Sequence, residues 1–404
     1  ISQNIRHEIW NELNSTNSPK IILGVRSSIF LPHKNLSLII VDEEHENSYK
    51  QFDPMPRYNA RDCAIFLSKF LNINCLLGSA TPSLETYNNS INNKFSLVEL
   101  KERYGKFLPP EIILIEPSKS ENTFFSNELI KYIKTALESD SQIILFRNRR
   151  GYSTYLKCSA CNHINICPNC DVSLTYHLSD NLEKCHYCGF SREMNINCDS
   201  CSLPAMKKYG VGTQTVESEF HRLFPKIKLI RFDYDTTRSK KNLKKIINDF
   251  QDKKYQVLIG TQMIAKGLNF TNVDLVGIIE SDFLLNYPDF RSHEKYYQLI
   301  KQVSGRAGRS RSRGRVVLQT DYVHHYLHKR LIDNNYRDLY NFQLSQRKEF
   351  NYPPFSKLIK IRFKSKKIDI IDSSSKWFCD AVNNLINCTV FCLLYTSPSP
   401  RDSR

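Results

Sequence analysis

Between positions 158 and 201 the chain carries eight cysteines in four C-x-x-C pairs: Cys158/Cys161, Cys167/Cys170, Cys185/Cys188 and Cys198/Cys201. Each C-x-x-C turn presents two thiolates to one metal ion. Four pairs therefore predict two closed, tetrahedral four-cysteine zinc sites with no open catalytic position. Disulfides are the competing reading, but the chain has 404 residues and opens with ISQNIRHEIW, which lacks the pattern of a secretory signal. An iron–sulfur cluster fits two complete ligand sets less well. The intervening lengths of five, fourteen and nine residues leave sequential, interleaved and nested pairings all open. His163, His177 and His186 read as surface residues, and Cys63, Cys75, Cys379 and Cys388 as core thiols.

Around this block the pattern is α/β. LSLIIVDEEH and KIILGVRSSIF read as strands, RDCAIFLSKFL as a helix, and NCLLGSATPSLETY as strand, turn and helix. A second set follows: SNELIKYIKTALES as helix, SQIILFRNRRG as strand, and then, beyond the cysteines, IKLIRFDYDTT, KKNLKKIINDFQD, YQVLIGTQ, VDLVGIIESD and RGRVVLQTD. Strands alternating with helices predict parallel, doubly wound sheets. The expected divisions are 1–100, a connector at 101–125, 126–334 with the cysteine insertion at 157–206, and a smaller α/β unit at 335–391 whose first strand lies near YPPFSKLIKIRFK. Residues 392–404 contain CLLYTSPSPRD, which reads as a translated sequencing adapter and is excluded from fold expectations.

The formal charge of +16 favours a polyanion such as nucleic acid. Two four-thiolate zinc sites, each carrying −2, would leave about +12. No apolar run is long enough to span a bilayer, so no membrane partner is expected and a cytoplasmic location is. The chain begins with Ile rather than Met, and a missing true start is expected.

The apolar run at 38–41 meets Asp42, Glu43, Glu44 and His45. Carboxylates at the carboxyl edge of a parallel sheet can hold Mg²⁺ and orient a water. GSATPS (78–83), GTQMIAKGLNF (260–270) and QVSGRAGRSRSRG (302–314) supply further strand-end turns, a lysine, and Gln302, Arg306 and Arg309 together. Arg306 and Arg309 are three apart and would share one face of a helix.

Together DEEH, GSATPS, GTQMIAKG and QVSGRAGR resemble motifs II, III, V and VI of superfamily 2 helicases, and with the cysteine block they resemble the primosomal replication-restart helicases over about residues 20 to 391. The resemblance implies two RecA-like helicase lobes, parallel sheets flanked by helices, with a Cys-rich two-zinc insertion in the second lobe and the start of a small C-terminal α/β domain. It implies motifs II and III in the first lobe and V and VI in the second. It also implies ATP with Mg²⁺, 3′→5′ movement on single-stranded DNA, fork recognition and primosome assembly. Asp42 becomes the Mg²⁺-side acid and Glu43 the hydrolytic base. His45 couples the site to DNA, Arg306 and Arg309 become phosphate sensors from the second lobe with Gln302 beside them as a catalytic residue, and Gly267 lies at the nucleotide. SYKQFDPMPRYNARDCA resembles the family's aromatic-rich loop, so Tyr49, Lys50, Arg57 and Tyr58, with Phe52, become DNA contacts. Arg26 and Ser27 in GVRSSIF are further strand contacts. For the zinc sites the resemblance implies nesting, with the outer pairs on one ion and the inner pairs on the other. Single-stranded-DNA-binding protein and primosome components are implied partners, and a monomer is the implied state.

The sequence departs from the pattern in one respect. A helicase of this class needs a G-x-x-x-x-G-K-[ST] loop, and none occurs in the sequence. The chain is therefore expected to be an interior fragment that neither hydrolyses ATP nor unwinds DNA alone. A zinc-stabilised, non-catalytic binding module is the competing reading.

Overall fold

The computed structural model describes residues 3–15, 18–100, 102, 108–118, 123–147, 155–161, 163, 165, 168, 174–177, 181–184, 190–209, 213–233, 236–237, 239–265, 268, 270–285, 289–308, 313–359, 361, 363, 365 and 367–385. The chain divides into two compact units. The first comprises Ile1–Lys101, His293–Lys301 and Asp333–Lys357; the second comprises Glu102–Ser292, Gln302–Ile332 and Leu358–Arg404.

In chain order the first unit holds α1 (Gln3–Ser15), β1 (Leu38–Asp42), α2 (Ala60–Leu71), β2 (Asn74–Gly78) and α3 (Leu84–Ile91). β1 and β2 pair in parallel, with Asp42 opposite Gly78, so both strands deliver their carboxyl ends to one place. Asn59 caps α2 by accepting from Arg61 N at 3.1 Å, and Asn72 ends it in the left-handed region at φ 54°. Ser83 caps α3.

The second unit begins with β3 (Glu111–Ile115), α4 (Asn127–Glu138) and β4 (Gln142–Arg147). The cysteine insertion then contributes β5 (Tyr155–Cys158), β6 (Thr175–His177), β7 (Leu182–Lys184), β8 (Ser191–Glu193) and β9 (Met206–Tyr209). The α/β order resumes with α5 (Thr213–Leu223), β10 (Leu229–Phe232), α6 (Lys240–Gln251), β11 (Val257–Gly260), α7 (Gln262–Ala265) and β12 (Val273–Glu280). Next come α8 (Ser292–Ser304), β13 (Arg315–Gln319), α9 (Tyr326–Ile332), α10 (Tyr336–Glu349) and α11 (Ile368–Leu385). Of these, 293–301 in α8 and all of α10 belong to the first unit.

The second unit's sheet runs β10-β11-β4-β12-β13-β3, parallel throughout. Its central strands are covered on both faces: all of QIILFR and VLIG is buried. That is why these segments read as unbroken apolar runs rather than alternations. Leu129 and Ile133 of α4 and Val216 and Phe220 of α5 pack with the sheet residues Ile143, Leu145, Val257 and Ile259 in one buried cluster. At Gly277 of β12 a Cβ would sit 2.9 Å from the Leu145 side chain and 3.2 Å from that of Leu129, so a larger residue would have to displace core side chains.

Three expectations change. KIILGVRSSIF holds no strand: residues 20–25 are irregular and Arg26–Phe30 is a short 3₁₀ helix. Ser28 bonds Val25 O through both its amide and its hydroxyl, at 2.8 Å each, which closes a turn where a strand needs extended backbone. The connector at 101–125 contains β3, which takes its place at the sheet edge beside β13. Residues 352–359 form no strand either, since Pro353, Pro354 and a bond from Phe355 N to Tyr352 O (3.0 Å) hold a turn there.

Candidate functional site

The four residues after the first strand part company at once. Asp42 is exposed at the carboxyl end of β1, whereas Glu44 is only 2% exposed. The divider is Glu43, held in the left-handed region at φ 50°, a strained position for a side-chain-bearing residue. Glu43 N donates to Asp42 Oδ1 at 3.0 Å, and the Tyr49 hydroxyl donates to Asp42 O at 2.5 Å. The Glu43 carboxylate lies 3.6 Å from His45 Nδ1, and that same nitrogen is 2.7 Å from Ser79 Oγ. Ser79 Oγ also accepts from Thr81 N at 3.0 Å. The DEEH and GSATPS segments therefore meet through His45 and Ser79.

Glu44 explains the third acid. It accepts from Ser83 N (2.5 Å), Ser83 Oγ (3.2 Å), Thr86 Oγ1 (2.9 Å) and Arg61 Nη1 (3.0 Å). A buried carboxylate is tolerated when its lone pairs are filled in this way. A second carboxylate, Glu294, accepts from the next amide, Leu84 N, at 2.9 Å. Two acids thus cap α3, where its dipole favours negative charge. Arg347, 1% exposed, binds Glu294 at 2.6 Å and Glu85 at 3.2 Å, and donates to Pro353 O at 3.2 Å. Burial and then Glu85 push the Glu294 carboxyl up, opposed by Arg347 and by Leu84 N–H. Tyr87, Tyr336 and Tyr340 close the same region, with ring centroids 4.8 and 5.2 Å apart, and burial raises all three hydroxyls. Sequence reading missed Glu44, Glu294 and Arg347; only the improbability of three solvated acids directly after an apolar strand pointed to the first.

The expected DNA contacts of the first unit also form a local set. Arg26 Nη1 donates to Ser48 O (3.4 Å) and Lys50 O (3.3 Å), while Ser27 and Arg57 are exposed. Lys50 donates to Arg57 O at 3.1 Å, and the loop is closed by a Lys50–Asn59 bridge. Tyr58 meets Phe30 edge-on at 4.7 Å, and Phe52 is 66% exposed.

In the second unit, Gly260 ends β11 where a Cβ would lie 2.5 Å from Phe232 O, which accounts for the glycine. Arg306 donates to Leu268 O and, at 2.6 Å, to Ala265 O, so the arginine is joined to those two carbonyls. The helical expectation is corrected at Arg306: α8 stops at Ser304, and Arg306 lies in the turn beyond it. Gly308, at φ +70°, donates to Val273 O at 3.1 Å and approaches Gly314 closely, a chain path no helix permits. Gln302 is in the last turn of α8; Gly267 and Arg309 lie outside the described residues.

The insertion gathers Cys158, Cys161, Cys198 and Cys201, their sulfurs all within 4.8 Å of one another. Cys158–Cys201 and Cys161–Cys198 are each 3.6 Å apart, far beyond a disulfide bond and close to the roughly 3.8 Å edge of a tetrahedron with 2.3 Å Zn–S bonds. Antiparallel β5 and β9, with Cys158 opposite Met206, bring the first and last pairs together. The Cys161 backbone N–H leads in drawing the Cys158 thiol down to about 6. At Cys201 the Leu203 N–H pulls the other way but is outweighed by burial and the neighbouring thiols, which push it up to about 12. Four thiols so close need a cation to ionise together. Arg192 bonds both Glu183 (2.9 Å), which is fully buried, and Asp199 (2.7 Å), between Cys198 and Cys201. Cys167, Cys170, Cys185 and Cys188 lie outside the described residues.

Residues 208–311 match the Helicase conserved C-terminal domain, and residues 167–192 match the PriA DNA helicase Cys-rich region domain. A helicase-like α/β protein with a cysteine-rich insertion is thereby defined. More particularly, the chain is similar over most of its length to the replication restart protein PriA. It is 39% identical to that of Bacillus subtilis over 88% of the chain and 44% of the relative. It is 38% identical to that of Borreliella burgdorferi over 92% and 55%, and 40% identical to that of Chlamydia pneumoniae over 91% and 50%. The chain thus spans about half the length of the curated relatives it matches. Among solved structures, RecG bound to a three-way DNA junction is 11% identical with a TM-score of 0.44, covering 89% of this chain and 37% of that one. Among the described residues no helix is long and apolar enough to cross a membrane.

Proposed function

We propose that the chain is part of an ATP-dependent, 3′→5′ DNA helicase that recognises stalled or repaired replication forks and initiates primosome assembly. The observation that carries this reading is the 38–40% identity to PriA proteins over 88–92% of the chain. The exposed Asp42 at the end of β1, with Glu43 beside it and His45 tied to Ser79, supports it. In this reading ATP with Mg²⁺ supplies the phosphoryl group and the charge that holds it. Asp42 would hold Mg²⁺ through its waters, and Glu43 would accept the proton of the attacking water. His45 passes the change at Glu43 to Ser79. Gln302, Gly267, Arg306 and Arg309 serve the phosphates, and Arg26, Ser27, Tyr49, Lys50, Arg57 and Tyr58 meet DNA. Single-stranded-DNA-binding protein and primosome components are the partners, and a monomer is the working state.

Glu43→Gln in the full-length protein is expected to lower ATP hydrolysis by about 10² or more while the Kd for DNA is unchanged. Hydrolysis that persists would remove Glu43 as the base. The 404-residue chain alone, which contains no Gly-Lys-Thr or Gly-Lys-Ser, should show no MgATP turnover. Zinc fills both sites in this reading: two ions per chain by elemental analysis, falling by about one in Cys167→Ser, with iron or no metal counting against it.

A further inference from the structure

We propose that the amino-terminal half of α6 is a second docking surface for nucleic acid, a phosphate-backbone contact formed by Lys240, Lys241, Lys244 and Lys245. The choice of polyanion rests on the nucleic-acid reading above; the surface itself rests on the helix. α6 buries Ile246, Asp249 and Phe250, and all four lysines are exposed. At about 100° per residue they fall within an arc of roughly 140° on the solvent side.

As it stands the arrangement is electrostatically unfavourable. Lys240/Lys244 and Lys241/Lys245 are like charges one turn apart, which weakens a helix. Lys240 and Lys241 also sit in the first turn, where the dipole disfavours cations, and that turn carries no acid. Ser239 already satisfies the helix end by accepting from Asn242 N at 3.2 Å. The one acid within α6, Asp249, pairs at 2.6 Å with Lys254 beyond the helix. A polyanion along this face would relieve every one of these repulsions.

Position and chemistry select the ligand. β10 ends at Phe232 and α6 begins a few residues on, so its first turn lies at the carboxyl edge of the parallel sheet, the edge that also carries Gly260 and Arg147. Ligands of open α/β sheets bind at that edge. No large hydrophobic residue of α6 is exposed, so the helix has nothing to insert into a lipid surface. The ridge has no aromatic for base stacking, so the contact would be with phosphates and independent of base sequence.

The test compares the 404-residue chain with K240Q/K241Q/K244Q/K245Q by fluorescence anisotropy, using a labelled thirty-residue oligo-dT and a thirty-base-pair duplex from 50 to 200 mM salt. In the variant, binding should weaken about tenfold or more. The slope of log K against log salt should fall by about 0.7 per lysine on the single strand, or about 0.9 on the duplex, which also shows the form of strand recognised. The Tm should not fall, because only repulsion is removed, and the four-arginine version should keep wild-type affinity. Unchanged affinity and slope, with the wild type still binding, would overturn this proposal alone. A wild-type chain that binds neither oligonucleotide would overturn the nucleic-acid reading with it. Loss of binding to phosphatidylserine vesicles but not to DNA would replace the ligand with an anionic membrane.

Discussion

Arg347→Met should destabilise the first unit by about 3–5 kcal/mol, because it leaves a buried carboxylate without its cation. Arg347 and Glu294 are 1% and 4% exposed and 2.6 Å apart, so solvent cannot take the place of either partner. The loss should also depend on pH with a definite sign. Burial already holds Glu294 above its ordinary value of 4.5, and Arg347 is the charge that opposes this. Without the arginine the folded-state carboxyl rises further. A group whose folded pKa is raised contributes its stability below the unfolded value and loses it as pH climbs through the folded one. Urea unfolding should therefore show a larger deficit at pH 8 than at pH 5. The double variant Glu294→Gln, Arg347→Met should recover much of it, since it removes the buried charge at Glu294 and leaves only Glu85, whose side chain is part-exposed and can turn to solvent. A single variant as stable as the wild type at pH 8 would mean the pair is not buried in solution.

Removing metal should melt the insertion and spare the parallel sheet. Among the described residues, the buried apolar cluster that holds the outer knuckles consists of Leu156, Cys158, Tyr176, Cys198 and Met206, with Met194, Cys201 and Ala205 partly buried against it. A core so small folds only with a staple. Structural zinc supplies about 10–16 kcal/mol of apparent binding in comparable peptides, so its loss cannot be absorbed locally. With a chelator, or in Cys158→Ser, backbone amide exchange of β5 and β9 should rise to the rate of an unfolded chain. β4, β11 and β12, buried through the six-stranded sheet, should keep their protection. Protection of Leu156 and Lys208 that survives complete metal removal would show that the strand pairing stands on its own.

The parts legible in the sequence were those whose signal is local. Ser126 ahead of Asn127–Glu138, the valine- and isoleucine-rich runs of β4, β11 and β12, and the C-x-x-C spacing each specify their own neighbourhood. What depended on distant pairing was not legible. β3 looked like a linker because it is a five-residue edge strand whose partner, β13, lies some two hundred positions on. KIILGVRSSIF had the composition of a strand, but Ser28 bends it. At the candidate site, Asp42, Glu43 and His45 could be read from a four-residue motif. Glu294 and Arg347 carry no motif, and they reach α3 from positions 210 and 262 residues away along the chain.

The pairing of β5 with β9 has an architectural consequence. Tyr155 and Tyr209 are direct neighbours across the ladder, so the polypeptide enters and leaves the cysteine block through adjacent doorways. Everything between is a detour that returns to its starting point, latched by Cys158, Cys161, Cys198 and Cys201. Such a cassette imposes no length requirement on the host sheet. It can lengthen, shrink or be exchanged with β4 and α5 keeping their places, which frees its surface to diverge while the parallel core stays fixed.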